Sequence, residues 1–218
     1  EKLGNGVPAA VANAKVTPAP NGRHFADISF TAPTQNQAGA TLSALSKIDI
    51  FRGEELVKSF ANPTPGTTLN YTDSNVPNGK TTYKITPFSA DGEGASTEID
   101  TFVGIDIPAA VPKLSFTYAN GKAHITWEKV ATGANGAYVN PENITYTLRR
   151  GKATEIAKNL KSNTFEDTPP AQDEQEALAY VVSPVNEAGE GERTYSNIVV
   201  TGKPYKLPIN ESFANGKL

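Results

Sequence analysis

Cysteine is absent from the 218-residue chain, so neither disulfides nor thiolate metal sites are available. Histidine is nearly absent: His24 and His124 are the only two. With two isolated imidazoles and no carboxylate cluster at ligand spacing, metal binding is unsupported and no cofactor is expected. No run of about 18 apolar residues occurs, so no membrane-spanning helix is predicted. Charge of one sign is not in excess either. The 20 Lys+Arg stand against 23 Asp+Glu without a long run of either, which argues against a nucleic-acid footprint. Residues 1–7 lack the apolar core of a signal segment, and the chain does not begin with Met. It reads as a mature or excised piece of a longer polypeptide.

What is plentiful is punctuation. Glycine (18) and proline (16) recur along the whole chain, as expected for many short strands joined by turns. Above that lies an internal repeat. Val7-Pro8-Ala9-Ala10-Val11 returns as Ile107-Pro108-Ala109-Ala110-Val111, and Ala26-Asp27-Ile28-Ser29-Phe30 as Ala123-His124-Ile125-Thr126-Trp127. Ile48-Asp49-Ile50-Phe51-Arg52-Gly53 matches Tyr146-Thr147-Leu148-Arg149-Arg150-Gly151, and Tyr71-Thr72-Asp73 matches Phe165-Glu166-Asp167. Finally Tyr83-Lys84-Ile85-Thr86-Pro87-Phe88 corresponds to Tyr180-Val181-Val182-Ser183-Pro184-Val185. The five blocks are offset by 100, 97, 98, 94 and 97 residues, so length differences fall between strands rather than within them. A solenoid has shorter periods and more copies; this is a duplicated domain. The expected boundaries are residues 1–104 and 105–203, with 204–218 as a tail.

Within each copy the apolar period is 2. Ala123, Ile125 and Trp127 share one face against His124 and Thr126, Ile28 and Phe30 oppose Asp27 and Ser29, and Tyr146 and Leu148 alternate with Thr147 and Arg149. Turns such as Asn78-Gly79 and Asn120-Gly121 separate the strands, which gives an antiparallel sandwich. Each copy carries an aromatic on its second strand (Phe30 or Trp127), then a strand ending in Arg. An aromatic-x-Asp follows, and a Tyr-led alternating strand runs into Gly-x-Gly. This order resembles the fibronectin type III domain, most closely its bacterial extracellular versions, over about residues 7–104 and 107–203.

The resemblance implies an all-β chain of two tandem immunoglobulin-like (fibronectin type III) β-sandwiches, extracellular or on a bacterial cell surface. The lack of cysteine is compatible with export of that kind. Phe30 and Trp127 become core anchors between the sheets, with Tyr83 and Tyr180 opening the sixth strand as a tyrosine corner. Asp73 and Asp167 would fix the preceding turn by side-chain to backbone hydrogen bonds. Pro87 and Pro184 fall inside a central strand, where proline removes a ladder bond, so a bulge or local loss of pairing is predicted at both. Gly104-Ile105-Asp106-Ile107, followed by Pro108, is too short for free tumbling and implies an elongated, semi-rigid pair. Residues 204–213 resemble the opening strand of a lectin-like jelly-roll domain.

No nucleophile elbow occurs, and a catalytic triad would have to borrow one of two distant histidines, so no enzyme is expected. Asp91-Gly92-Glu93-Gly94 and Gly189-Glu190-Gly191 read as hairpin turns, too few in oxygen ligands for calcium. Arg52-Gly53-Glu54 has the wrong acid for an Arg-Gly-Asp adhesion tripeptide and reads as a turn. Asn70-Tyr71-Thr72, Asn143-Ile144-Thr145 and Asn210-Glu211-Ser212 match the glycosylation sequon but carry no meaning in a bacterial source. Two long connections remain, residues 33–47 and 131–143. Tyr138, Asn135 and Asn140 in the second are the candidate binding residues, for stacking or hydrogen bonding to a glycan or a host protein. The simpler alternative is that Tyr138 folds back over the sandwich edge. The overall reading is a non-catalytic spacer of a multidomain exported protein, whose partners are neighbouring domains of its own polypeptide; a glycan- or protein-binding module, or an accessory of a secreted glycoside hydrolase, is the alternative.

Overall fold

The computed structural model describes residues 6–204. Most of the proposed jelly-roll opening, and the third sequon, lie outside the described residues. Apart from two single 3-10 turns the described secondary structure is β. The chain divides into two compact units. The first holds residues 6–109 together with Ala131–Asn143 and Glu187–Gly189; the second holds Ala110–Val130, Ile144–Asn186 and residues 190–204. Segment 131–143, which by sequence belongs to the second repeat, is thus packed in the first unit.

In the first unit β1 (Ala12–Pro18), β2 (Phe25–Thr31) and β5 (Thr68–Ser74) form one sheet in the order β1-β2-β5. The other sheet has β3 (Lys47–Arg52) between β4 (Glu55–Ala61) and β6 (Gly79–Ser89). Beyond β6 lie the short β7 (Gly92–Glu93) and β8 (Thr97–Val103). All pairs are antiparallel. Ala26, Ile28 and Phe30 from one sheet and Ile48, Ile50, Tyr83 and Ile85 from the other close the core, none more than 1% exposed. The long connection 33–47 feeds this core too: Leu42 and Leu45 are buried in it.

The second unit repeats the plan. The sheet β9-β10-β13 comprises β9 (Leu114–Ala119), β10 (Lys122–Trp127) and β13 (Thr164–Asp167). Opposite it, β11 (Thr145–Arg150) lies between β12 (Thr154–Leu160) and β15 (Tyr180–Asn186). β14 (Glu176–Leu178), β16 (Gly189–Glu190), β17 (Thr194–Tyr195) and β18 (Val199–Thr201) complete it. Asn120 and Gly121, both at positive φ (53° and 77°), make the two-residue hairpin between β9 and β10. In both units the fourth strand pairs with the third and not with the second-and-fifth sheet. Each unit is an immunoglobulin-like sandwich of the fibronectin type III kind.

Both prolines sit in continuous strands, and the predicted loss of pairing is one-sided. Ile48 faces Pro87 and Tyr146 faces Pro184 without a register shift. The bonds Gly53 N to Thr82 O (2.9 Å) and Gly151 N to Ala179 O (2.8 Å) set the alternation, which makes each proline a non-hydrogen-bonded partner of that neighbour. Its nitrogen therefore points to the other side. There β8 has stopped at Ile85↔Thr97, and the proline carbonyl accepts Gly94 N (2.8 Å) or Gly191 N (2.7 Å). Each carbonyl bond closes half of a hydrogen-bonded pair whose other half the proline cannot donate, and one extra residue lies on the partner side between Ile85↔Thr97 and Phe88↔Glu93, as the predicted bulge requires. Thr147 and Arg149, which alternate with Tyr146 and Leu148, are buried as well. Both are 8% exposed, because β11 is the central strand of its sheet.

Candidate functional site

Three clusters of polar side chains stand out. The first two are equivalent. Tyr83 Oη donates to Asp73 Oδ2 (2.7 Å), and Arg52 Nη1 donates to the same oxygen at 2.7 Å. In the second unit Tyr180 Oη donates to Asp167 Oδ2 (2.6 Å), while Arg150 holds that carboxylate with Nε (2.8 Å) and Nη2 (2.7 Å). Burial and the bond to the carboxylate push both tyrosine hydroxyls far above their ordinary range. Burial alone would raise Asp167, but the hydrogen bonds from Arg150 and Tyr180 hold it below its ordinary value. The expected tyrosine corner is corrected on two points. Tyr180 opens β15 as expected but Tyr83 lies inside β6, and the hydroxyls bond to carboxylates instead of to backbone. Asp73 accepts from side chains, whereas Asp167 also accepts a backbone bond from Thr168, as expected. These are structural networks, in which each buried charge is matched by a charge-assisted partner. They also bind the Arg of Arg52-Gly53-Glu54, whose side chain is 14% exposed.

Phe30 (1% exposed) and Trp127 (3%) are core residues of their units, as are Tyr83 and Tyr180 (0%). Phe30 meets Phe60 edge-on at 6.0 Å, and Trp127 lies 5.6 Å from Tyr146.

The third cluster lies around Asp106, fully buried in the first unit. Its Oδ2 accepts Asn135 N (2.7 Å) and Ala137 N (3.2 Å), and its Oδ1 accepts Asn135 Nδ2 (2.8 Å). Backbone bonds from Asp106 N to Tyr138 O (2.8 Å), Ala134 N to Ile107 O (2.9 Å) and Ala109 N to Thr132 O (2.8 Å) extend the clamp. Gly133 is required here: a Cβ would lie 2.3 Å from Asp106 Oδ2 and 2.6 Å from Ala137 O.

The three candidate binding residues separate. Tyr138 is half-buried, with its ring over Gly22, where an added Cβ would fall 3.0 Å from Tyr138 Cδ1. Asn140 Oδ1 accepts Glu142 N (3.1 Å) and so caps the turn Pro141–Asn143. Only Asn135 is exposed, and it alone lines a sizeable groove. That groove, about 710 Å³, is bordered on the β6–β8 side by Gly53, Lys80, Thr82, Asp100 and Phe102. Lys80 faces Phe102 and Thr82 faces Asp100 across the ladder. Thr82 Oγ1 donates to Asp100 Oδ1 (2.6 Å). The sequence held a signal for this platform. In β8, Ile99 and Val103 occupy the inward phase, so Phe102 is an aromatic in the polar phase.

His24 Nδ1 lies 3.1 Å from Val76 O, and His124 Nδ1 3.4 Å from Glu166 Oε2. No group of three or more potential metal ligands occurs among the described residues.

Among solved structures, the FN1–FN3 domains of chicken CNTN1 match with 12% identity and a TM-score of 0.41, over 91% of this chain and 68% of that one. At that score the likeness adds nothing to the strand order, which itself carries the fold assignment. No family model and no curated protein matches the chain in sequence.

Proposed function

We propose that this chain is a non-catalytic structural module, a tandem spacer within a multidomain exported bacterial protein. The observation that carries the reading is the Tyr–Asp–Arg network built twice. Each copy ties the end of the third strand, the fifth strand and the sixth strand through one buried carboxylate. A domain under load gains from such cross-strand anchoring, and here it is achieved without any cysteine. The neighbouring domains of the same polypeptide are its natural partners. Pulled between its ends, the full chain is expected to unfold in two discrete events, each releasing about 300 Å of contour for a repeat of this size. Smooth extension without events would sink the mechanical role. Protease added to intact source cells is expected to degrade the chain; full protection would sink the exported location.

A further inference from the structure

We propose that the outer face of β6 and β8, completed by Asn135, is a binding site for a short uncharged oligosaccharide. The chemistry of the groove favours that class. Phe102 is half-buried in the outward phase of β8, where the strand's own pattern calls for a polar residue. An aromatic face so placed stacks on the C–H face of a pyranose and has no structural duty in the core, which is closed by the inward residues Ile99 and Val103. Around it stand groups suited to vicinal hydroxyls: Asp100 as an acceptor held by Thr82 Oγ1, the carboxamide of Asn135, and the Lys80 ammonium as a donor. Lys80 and Asp100 cancel in charge, so nothing in the groove draws an anionic or cationic ligand.

Pre-organisation supports the same reading. The Asp106 clamp takes the Asn135 backbone N–H and one side-chain N–H, leaving the other N–H and Oδ1 outside it. The side chain is thereby fixed before a ligand arrives, which lowers the ordering cost of binding. A volume of about 710 Å³ suits a few sugar rings.

The test uses the full chain in amide correlation spectra, titrated to about 10 mM, beyond the range of weak affinities near 1 mM. The probes are cellohexaose, xylohexaose, mannohexaose, maltohexaose and chitohexaose, with hexagalacturonate as the charged comparison. At least one neutral hexamer is expected to shift the amides of residues 80–82, 100–102 and 135. Phe102→Leu, which keeps the bulk but removes the ring, is expected to weaken that binding about tenfold. Asp100→Asn, on an exposed position, is expected to weaken it while the spectrum elsewhere stays that of the parent. The proposal is overturned if no neutral hexamer shifts these amides, if only hexagalacturonate does, or if Phe102→Leu binds as the parent does.

Discussion

The two repeats solve the same problem with the same anchor and then differ one residue away. Arg52 and Arg150 occupy equivalent ends of β3 and β11, and each reaches the carboxylate of the following strand that Tyr83 or Tyr180 also holds. The residue before each differs. Phe51 lies beneath the ammonium of Lys84 at 5.4 Å, whereas Arg149 bonds Ser183 (2.9 Å) and pairs with Glu190 (2.9 Å). The last strands differ as well. β6 and β8 pair without interruption from Gly79↔Val103 to Ile85↔Thr97. Their counterparts are split into β14–β18 and β15–β17, and one extra residue accumulates between Val182↔Thr194 and Glu176↔Thr201. Beside that bulge Ser196 Oγ accepts Tyr180 N (2.9 Å), while Asn197 stays exposed. Asn197 Oδ1 accepts Phe116 N (3.0 Å) and its Nδ2 donates to Phe116 O (3.1 Å), so a carboxamide stands in for a strand partner. The lesson is that the Tyr–Asp–Arg network defines the sandwich, while ladder continuity can be exchanged for side-chain bonds.

The largest effect that would break this comparison comes from removing the carboxylates. Asp167→Ala leaves Arg150 and Tyr180 without their shared acceptor and is expected to cost about 3–5 kcal/mol. Asp73→Ala is expected to cost less, because Arg52 keeps Glu55 at 2.7 Å. Trp127 is the chain's only tryptophan, so its fluorescence in denaturant reads the second unit, and circular dichroism reads both. Equal costs at the two sites would refute the asymmetry.

Asn197→Ala comes next, at about 1–2 kcal/mol for two lost bonds to a half-buried backbone. The same fluorescence transition measures it. An unchanged midpoint would show that the bulge does not depend on this bridge.

Acid gives the smallest effect. Glu190 is held below its ordinary value of 4.5, first by the Ser183 hydrogen bond and then by Arg149; Asp167 likewise lies below 3.8. Groups with depressed folded pKa contribute stability that is complete above the unfolded value and is lost as pH falls through the folded one. The second unit's fluorescence midpoint should therefore decline below about pH 4.5, and Glu190→Gln should flatten the upper part of that decline. A decline of the same shape in the variant would remove Glu190 from the account.

Much of this architecture was legible because strand periodicity and burial are local. Ile28, Phe30, Ile125 and Trp127 announce their inward face two residues at a time, and duplication repeats the message. The proline question was legible only in part. The sequence placed Pro87 and Pro184 inside strands, but which side of the ladder each nitrogen faces depends on register with β3 and β11. The candidate loop was found, and within it Tyr138 packs over Gly22, in line with the simpler reading that it folds back, while Asn140 caps a turn. Asn135 gains its position from Asp106, some 29 residues away, and the groove's other wall comes from β6 and β8. By itself, then, the sequence determined a repeated all-β chain with its core aromatics and strand order, since alternation and turns act over a few residues. Only the tertiary structure decided that Arg and Tyr share one buried carboxylate, that segment 131–143 packs with the first unit, and that Phe102 and Asn135 border one groove. Those pairings join residues far apart in the chain, and close approach in space follows from sheet packing that no short stretch of sequence encodes.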